Sequence, residues 1–319
     1  MKGVVVYYSA TGNTQKIAKA IHKGMKESIE ECDIFPLKEV DSKVLLKYDV
    51  IGLGSPIWRG REPVNVQIFI KNMPDLKGKL GFPFCTHGAL PIGFMYWVVP
   101  ALKRKGLTII GYNDWFGGVR LPYMPNPYLT DGHPDGIDLK EAEEFGNEMA
   151  ERARRISLGE IRLIPELPQG TEADILWQRR ESRSGGPSTL ELAREVARQR
   201  RKLNKQKCTY PECTICVDTC PMDSIDLLTT PATFRRNCIM CLNCEVLCPT
   251  GAIEIDYENI FATTDVQGVP TGPDHPFVKY LNDAEARGRF RWVVPLDEVG
   301  FDTLLWKSTG HPRYVVEEE

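Results

Sequence analysis

The sequence predicts an α/β protein with two cores: a parallel-sheet domain first, then a small α+β domain that holds metal. At 319 residues the chain exceeds the usual size of one compact domain. A β-branched and aromatic run over residues 3–8 precedes a polar loop and a helical pattern, which is typical of a parallel strand buried on both faces. Eight of the ten cysteines crowd into residues 208–248, and in a reducing compartment such a cluster indicates metal ligation.

The first loop of the predicted sheet carries only small, neutral side chains. It lies between the first strand and a helix that continues through Ile17 and Ile21. Backbone N–H groups and hydroxyls at a helix N-terminus bind phosphate, and without Lys or Arg this loop suits a single phosphate monoester. It matches neither the Walker A motif nor the dinucleotide motif G-x-G-x-x-G. The predicted phosphate-binding residues are Ser9, Ala10, Thr11, Gly12, Asn13 and Thr14.

The segment Ser9–Thr14 resembles the S/T-x-T-G-N-T phosphate loop of flavodoxins. This resemblance implies bound flavin mononucleotide (FMN) and a flavodoxin-like, doubly wound five-stranded parallel sheet in the order 2-1-3-4-5. The flavodoxin-like domain would occupy residues 1–157 and end in a helix that begins near Asp138. A long loop, Trp115–Gly136, would roof the flavin or meet the second domain. Strands two to five are expected at residues 32–35, 50–54, 82–86 and 107–112.

Two further loops, at the carboxyl ends of strands three and four, are expected to hold the flavin ring. In the first, Trp58 would stack on the ring, although an ordinary core or interface tryptophan is the alternative. In the second, His87 would either tune protonation of the flavin or only line the pocket. Cys32 and Cys85 fall on strands and are expected to be core residues. The predicted ring-binding residues are Pro56, Ile57, Trp58, Arg59, Gly60, Thr86, His87, Gly88 and Ala89.

The cysteine-rich segment contains an internal repeat. Its second half, from Cys238 to Pro249, has the spacing C-x2-C-x2-C-x3-C-P and resembles the cluster-binding run of bacterial ferredoxins. Three cysteines and a proline of the first half each precede their counterparts by 28 residues. The repeat fails only at Cys208, which is separated from Cys213 by four residues instead of two. We expect these four extra residues to bulge outward.

The ferredoxin resemblance implies two 4Fe-4S clusters with interleaved ligands. Three closely spaced thiolates would bind one cluster, and the fourth, turned away by the proline, would bind its neighbour. Cluster one would take Cys208, Cys213, Cys216 and Cys248, and cluster two would take Cys238, Cys241, Cys244 and Cys220. A pair of zinc sites is the alternative, because C-x2-C pairs also bind zinc, but zinc does not require the C-P continuation twice.

The remaining segments match neither motif. Residues 158–206 are predicted to form a linker, with a flexible break at residues 181–187 and a helix that begins at Ser188 with a capping box. The basic face of this helix would dock an acidic partner or simply be solvated. Residues 207–256 would form the ferredoxin-like domain, and residues 257–319 an extension that docks a partner or covers a domain surface. The basic residues of the helix are Arg194, Arg198, Arg200, Arg201, Lys202 and Lys205.

Charge and hydropathy argue against several classes of partner. With 40 Lys and Arg against 43 Asp and Glu, the net charge of −3 gives no reason to expect attraction to nucleic acid or to an anionic membrane. The longest apolar stretch, around residues 94–102, is too short to span a bilayer. The apolar run at the N-terminus lacks the cleavage site of a signal peptide. We therefore expect a cytoplasmic protein.

The chain as a whole resembles the flavodoxin–ferredoxin fusions of anaerobes, which implies an electron-transfer iron–sulfur flavoprotein. A flavin exchanges electrons singly or in pairs, whereas each cluster carries one, so their combination adapts one chemistry to the other. The expected partners are redox proteins, within or toward a larger oxidoreductase complex, and no side chain needs to act as nucleophile or base. Two alternatives stay open: an FMN-dependent reductase of a small molecule, and a docking or assembly subunit of a redox complex.

Overall fold

The computed structural model describes most of the chain as two compact units. It describes residues 1–166 except 59, 92 and 123, and then residues 201–229, 232–235, 237–255, 270 and 272–303. The first unit comprises the described residues of 1–118, 130–166 and 280–293. The second unit comprises those of 119–129, 201–279 and 294–303. Within this part of the chain, no helix has both the length and the apolar character needed to cross a bilayer.

The first unit is built on a parallel sheet with helices on both faces. Its strands follow the order β2-β1-β3-β4-β5, with β6 paired to β4, so the predicted fold class and strand order are confirmed. The strands are β1 (Lys2–Tyr7), β2 (Glu31–Pro36), β3 (Val50–Pro56), β4 (Leu80–His87), β5 (Thr108–Ile109) and β6 (Asn113–Phe116). The helices are α1 (Asn13–Ser28), α2 (Val64–Asn72), α3 (Phe94–Arg104) and α4 (Gly136–Ser157).

Alternation along the strands divides the apolar side chains between two cores. Val4 and Val6 of β1 face α2 and α3, whereas Val5 and Tyr7 face α1 and α4. Both sets are buried because helices cover both faces of a parallel sheet. The phosphate-type loop after β1 therefore starts from a strand that is fixed on both sides.

The predicted fifth strand, residues 107–112, is wrong in its extent. Only Thr108–Ile109 pairs with the start of β4, and the chain then shifts before Asn113–Phe116 pairs with the end of β4. Between the two strands the carbonyl of Ile110 accepts a hydrogen bond from Arg152 of α4 at 2.7 Å. Trp115 and Phe116, predicted to begin a long loop, are therefore part of the sheet.

Helices α1 and α4 pack closely because glycines lie where they meet. A methyl group at Gly146 would lie 2.1 Å from the carbonyl oxygen of Ile21, and one at Gly24 would lie 1.8 Å from that of Glu143. Protein interiors are too densely packed to absorb such overlaps without movement of a helix.

We expect Gly146→Ala to destabilise the protein by roughly 1–3 kcal/mol, the usual cost of overpacking. Alanine favours helix more than glycine by about 1 kcal/mol, so any loss must come from the collision with α1. Urea unfolding followed by circular dichroism measures the effect. The matched control is Gly136→Ala in the same helix, where a methyl group meets nothing within 4 Å. Equal stability of the two variants would contradict the packing described.

A segment from the C-terminal part of the chain, residues 280–293, completes the first unit. Phe290 packs on Phe116 of β6 and on His133, with ring centroids 4.7 and 5.4 Å apart. Arg291 binds both oxygens of Asp135, the N-cap of α4, at 2.7 and 2.9 Å, and contacts Asp138 at 3.1 Å. The side chains of His133, Asp135 and Asp138 are close enough to bind a metal ion, but the guanidinium supplies the positive charge there.

His133 links the same two segments through both ring nitrogens. Nδ1 lies 2.6 Å from Asp138 and Nε2 lies 2.9 Å from the carbonyl oxygen of Arg291. Both neighbours are acceptors, and only the protonated imidazole donates from both nitrogens. Burial lowers the pKa of His133, but the hydrogen bonds to Asp138 and to the Arg291 carbonyl outweigh burial, so the pKa is raised from 6.5.

The stability that His133 contributes is expected to disappear as the pH rises. Its pKa is higher in the folded protein than in the unfolded chain, so the contribution is complete below about 6.5 and is lost as the pH passes the folded value. Thermal unfolding between pH 6 and 9 should show a steeper loss of stability for the wild type than for His133→Asn. Parallel profiles would mean that the ring is not held as an imidazolium.

The second unit consists of short elements around the cysteine repeat. Strands β7 (Arg201–Leu203) and β10 (Ile253–Ile255) pair antiparallel, as do β8 (Ile225–Asp226) and β9 (Thr233–Phe234). Its short helices α5 (Ile215–Asp218) and α6 (Asn243–Val246) are 28 residues apart, as the repeat predicts. The last helix of the described chain, α7, spans Pro276–Ala286.

The predicted basic helix is wrong at its C-terminal end. Arg201 and Lys202 lie on strand β7, and Arg201 is buried and not on a solvated face. A strand fits because it pairs with Ile253–Ile255, which no local helical pattern reveals. The predicted start of the helix at Ser188 and the basic residues Arg194, Arg198 and Arg200 lie outside the described residues.

Candidate functional site

The phosphate-type loop after β1 presents an uncapped helix N-terminus. Gly12 precedes α1 with φ of 93°, a conformation that favours glycine, and no side chain caps the helix. The Gly12 N–H is bound by the hydroxyl of Ser9 at 3.1 Å, and the first turn of α1 contains no acidic residue. The N–H groups of the first turn have no intrahelical acceptors, so this end of α1 fits an anion.

Two residues of the loop fix it to the rest of the unit. The Asn13 side chain donates to the carbonyl oxygen of Gly118 at 2.7 Å, and the buried hydroxyls of Thr14 and Thr86 are 2.7 Å apart. Gly117 permits this approach, because a methyl group there would lie 2.9 Å from the Asn13 side chain. The structure thus joins the first predicted loop to the loop after β4.

The loop after β3 holds Trp58 in a tight turn. Its N–H donates to the carbonyl of Arg61 at 2.9 Å, and Gly60 completes the turn with φ of 84°. The half-buried Trp58 ring meets Tyr8 edge-on, with centroids 5.8 Å apart. The preceding residue, Ile57, donates to the carbonyl of Thr86 at 2.9 Å. Pro56 lies at the end of β3, and Arg59 lies outside the described residues.

The loop after β4 begins with a buried histidine. His87 is 4% exposed, its Nε2 lies 2.9 Å from Asp114 of β6, and its ring packs on Phe116. Burial raises the pKa of Asp114, but the hydrogen bond from His87 outweighs burial and leaves it below its usual value. The Nδ1 of His87 is buried without a hydrogen-bond partner among the described residues. Gly88 accepts a hydrogen bond from Thr130 at 3.1 Å, and Ala89 is buried.

These three loops lie at the carboxyl edge of the sheet and together fit a flavin mononucleotide. The uncapped α1 would take its phosphate, and the Trp58 ring and the unpartnered His87 nitrogen are available to a flat, polar ring. Asp114 and Thr130, which orient the loop after β4, were missed by sequence reasoning. Neither lies in a motif, and only the pairing of β6 with β4 brings Asp114 to His87.

The eight clustered cysteines line two separate cavities in the second unit. One cavity, of about 320 Å³ including its solvent-open part, is lined by Cys208, Cys213, Cys216 and Cys248. The other, of about 270 Å³, is lined by Cys220, Cys238, Cys241 and Cys244. The structure therefore groups the thiols into the same two interleaved sets of four that the sequence repeat indicates. We call these the first cavity and the second cavity.

The repeat extends to the hydrogen bonds around sulfur. The Ser224 N–H donates to Cys220 Sγ at 3.2 Å, and the Ala252 N–H, 28 residues later, donates to Cys248 Sγ at 3.2 Å. The four residues between Cys208 and Cys213 are exposed and include a turn, so the wider spacing is accommodated outside the cavity, as predicted. The two halves are thus closely related in local geometry.

The chemistry of the donors fits iron–sulfur clusters. Burial raises the pKa of the Cys216 thiol to about 11 and that of Cys241 to about 12, so both stay protonated unless a cation compensates the thiolate. Each cavity offers four such sulfurs, which is the ligand number of a 4Fe-4S cluster. The same number also satisfies zinc, so the donor set alone does not separate the two metals.

Comparison with known proteins supports this division of the chain. A family model for a flavodoxin domain matches residues 4–93. The flavodoxin of Clostridium saccharobutylicum is 29% identical over 162 residues, which are 49% of this chain and 99% of that protein. An uncharacterised protein of Methanocaldococcus jannaschii is 30% identical over 159 residues, or 46% of this chain and 95% of its own length. The ferredoxin of Methanothermococcus thermolithotrophicus is 33% identical over 55 residues, or 17% of this chain and 92% of its own length.

The sheet order, the phosphate-type loop and these matches define an electron-carrier protein. The chain belongs to the flavodoxin family through its N-terminal half, and its C-terminal part is related to the ferredoxins.

Proposed function

We propose that this chain is an iron–sulfur flavoprotein that relays electrons between FMN and two 4Fe-4S clusters. The observation that carries the proposal is the sorting of eight thiols into two cavities of four, in a chain whose other unit has a flavodoxin sheet and an uncapped phosphate-type loop. FMN supplies one- or two-electron chemistry, and each cluster supplies one-electron chemistry. The electrons would pass to or from redox proteins, within or toward a larger anaerobic complex in the cytoplasm.

The residues of the chain bind, position and shield the cofactors. Ser9–Thr14 would hold the phosphate, Pro56–Gly60 and Thr86–Ala89 would hold the flavin ring, and the eight clustered cysteines would ligate iron. Trp58 would stack on the ring, and the hydrogen bond to Asp114 would keep His87 in one orientation beside it. No side chain needs to form a covalent intermediate in this function.

A second candidate is direct reduction of a small molecule at the flavin. The buried His87–Asp114 pair favours it, because a histidine oriented by a carboxylate is also suited to proton transfer. The clusters would then supply the electrons. His87→Gln separates the two candidates: it should leave one-electron exchange with protein acceptors intact but abolish the pH dependence of any substrate reduction.

Anaerobic purification followed by cofactor analysis tests the proposal. We expect close to one FMN and eight irons with matching sulfide per chain, from one flavin site and two 4Fe-4S clusters. Potentiometric titration should then resolve flavin and cluster reduction separately. Recovery of two zinc ions without sulfide, or of protein that cannot be loaded with FMN, would overturn it.

A further inference from the structure

A single arginine breaks the symmetry between the two cysteine cavities. Arg201 is 6% exposed and lines the second cavity. Its Nη1 donates to Cys238 Sγ at 3.3 Å, and its guanidinium lies 5.0 Å from the centre of the Phe234 ring. Its Nε is buried without a hydrogen-bond partner among the described residues. A buried cation is costly unless negative charge compensates it, and the groups that face Arg201 here are thiols.

The repeat shows that the first cavity lacks this charge. Ile253 pairs with Leu203, and Ile225, its counterpart 28 residues earlier, pairs with Phe234. Leu203 therefore corresponds to Phe234, and the position two residues before each carries Arg201 in one half and Ala232 in the other. The described lining of the first cavity contains cysteines, threonines, a proline and apolar side chains, but no charged group.

Other differences between the halves are smaller or act over a longer range. Asn243 lines the second cavity where the repeat has Ile215 in the first, so the second cavity is also the more polar one. Glu245 follows Cys244 where the repeat has Val217, and its negative charge opposes Arg201. Burial is the main cause of the raised pKa of Cys244, Arg201 lowers that pKa, and Glu245 raises it by a smaller effect than that of Arg201. The balance at the second cavity is positive.

We propose that Arg201 raises the reduction potential of the cluster in the second cavity above that of the cluster in the first. Four thiolates give a bound cluster net negative charge, and one added electron increases that charge. A buried guanidinium that donates to a ligand sulfur stabilises the reduced form more than the oxidised form. An electron that reaches the module then settles on the second cluster, which becomes the exit side of the relay. This inference rests on the proposed function, because it requires both clusters.

Potentiometric titration of the full chain, followed by electron paramagnetic resonance, tests the inference. The wild type should show two resolved one-electron cluster potentials. In Arg201→Met the higher one should fall by about tenfold in equilibrium constant, which is ~59 mV for one electron, while the lower one changes little. Arg201→Lys keeps the charge and should stay within about threefold of the wild type. Lys202→Met, which removes one charge from an exposed residue of the same strand, is the matched control.

The outcomes separate this inference from the proposed function. Iron and sulfide are measured for every variant, and a wild type without two clusters would overturn the proposed function itself. With both clusters present, a single unsplit potential would overturn only the role of Arg201. So would an unchanged Arg201→Met, a shift of the lower potential instead, or an equal shift in Lys202→Met. If Arg201→Met retains only half of the iron, Arg201→Lys decides: a tenfold fall there refutes the charge effect, and wild-type behaviour supports it.

Discussion

Replacement of Cys220 by alanine is expected to halve the iron content, from about eight to about four per chain, as one of two 4Fe-4S clusters is lost. Cys220 belongs to the first motif by sequence, yet it lines the cavity of Cys238, Cys241 and Cys244. Its loss removes one of four ligands and also the sulfur that accepts the Ser224 N–H. Cys248→Ala should likewise halve the iron, but by emptying the first cavity.

The potentials distinguish the two variants and so test the interleaving. Cys220→Ala should lose the higher-potential cluster and Cys248→Ala the lower-potential one. The matched control is Cys32→Ala, a half-buried thiol outside both cavities, which should keep all the iron. If each motif instead bound its own cluster with all four of its cysteines, the two variants would lose the opposite potentials.

Thr11→Asp is expected to weaken FMN binding at least a hundredfold. It places a carboxylate beside the uncapped start of α1, where the phosphate is proposed to bind. Two like charges about 4 Å apart near a protein surface repel by about 4 kcal/mol, and a hundredfold loss requires only about 2.7 kcal/mol. The affinity is measured by the quenching of flavin fluorescence when FMN is added to the apoprotein.

The helix itself provides the control for this variant. A negative charge near a helix N-terminus stabilises the helix by about 0.3–1 kcal/mol, so Thr11→Asp should fold at least as well as the wild type. Thr11→Asn has nearly the same shape as aspartate without the charge, and it should bind FMN within a few-fold of the wild type. Equal affinities of the Asp and Asn variants would exclude the phosphate from this end of α1.

Local patterns in the sequence were sufficient for the features that depend on neighbouring residues. The buried run of β1, the neutral loop after it and the cysteine spacing each express a local requirement, and the strand order followed from their resemblance to flavodoxins. The division of β5 from β6 was not predictable, because it depends on Arg152 of α4 binding the Ile110 carbonyl. A continuous apolar run contains no sign of that partner.

Arg201 shows most clearly why part of the candidate site escaped sequence reasoning. It stands in a row of basic residues, and such rows usually form a solvated face. Its burial arises from pairing with Ile255, 54 residues later, and from the cysteines that line the second cavity. The same holds for Asp114, which reaches His87 only through the pairing of two strands. Contacts of this range are set by tertiary structure.

The contribution of residues 280–293 to the first unit has a consequence for synthesis of the chain. Domains generally fold as units while the chain emerges from the ribosome, N-terminal first. Here the sheet emerges early, but Asp135 at the start of α4 must wait for Arg291, which is made 156 residues later. Until then Phe116 and His133 lack their contacts with Phe290. A fragment that stops at residue 157 therefore reproduces the nascent intermediate and not the finished domain.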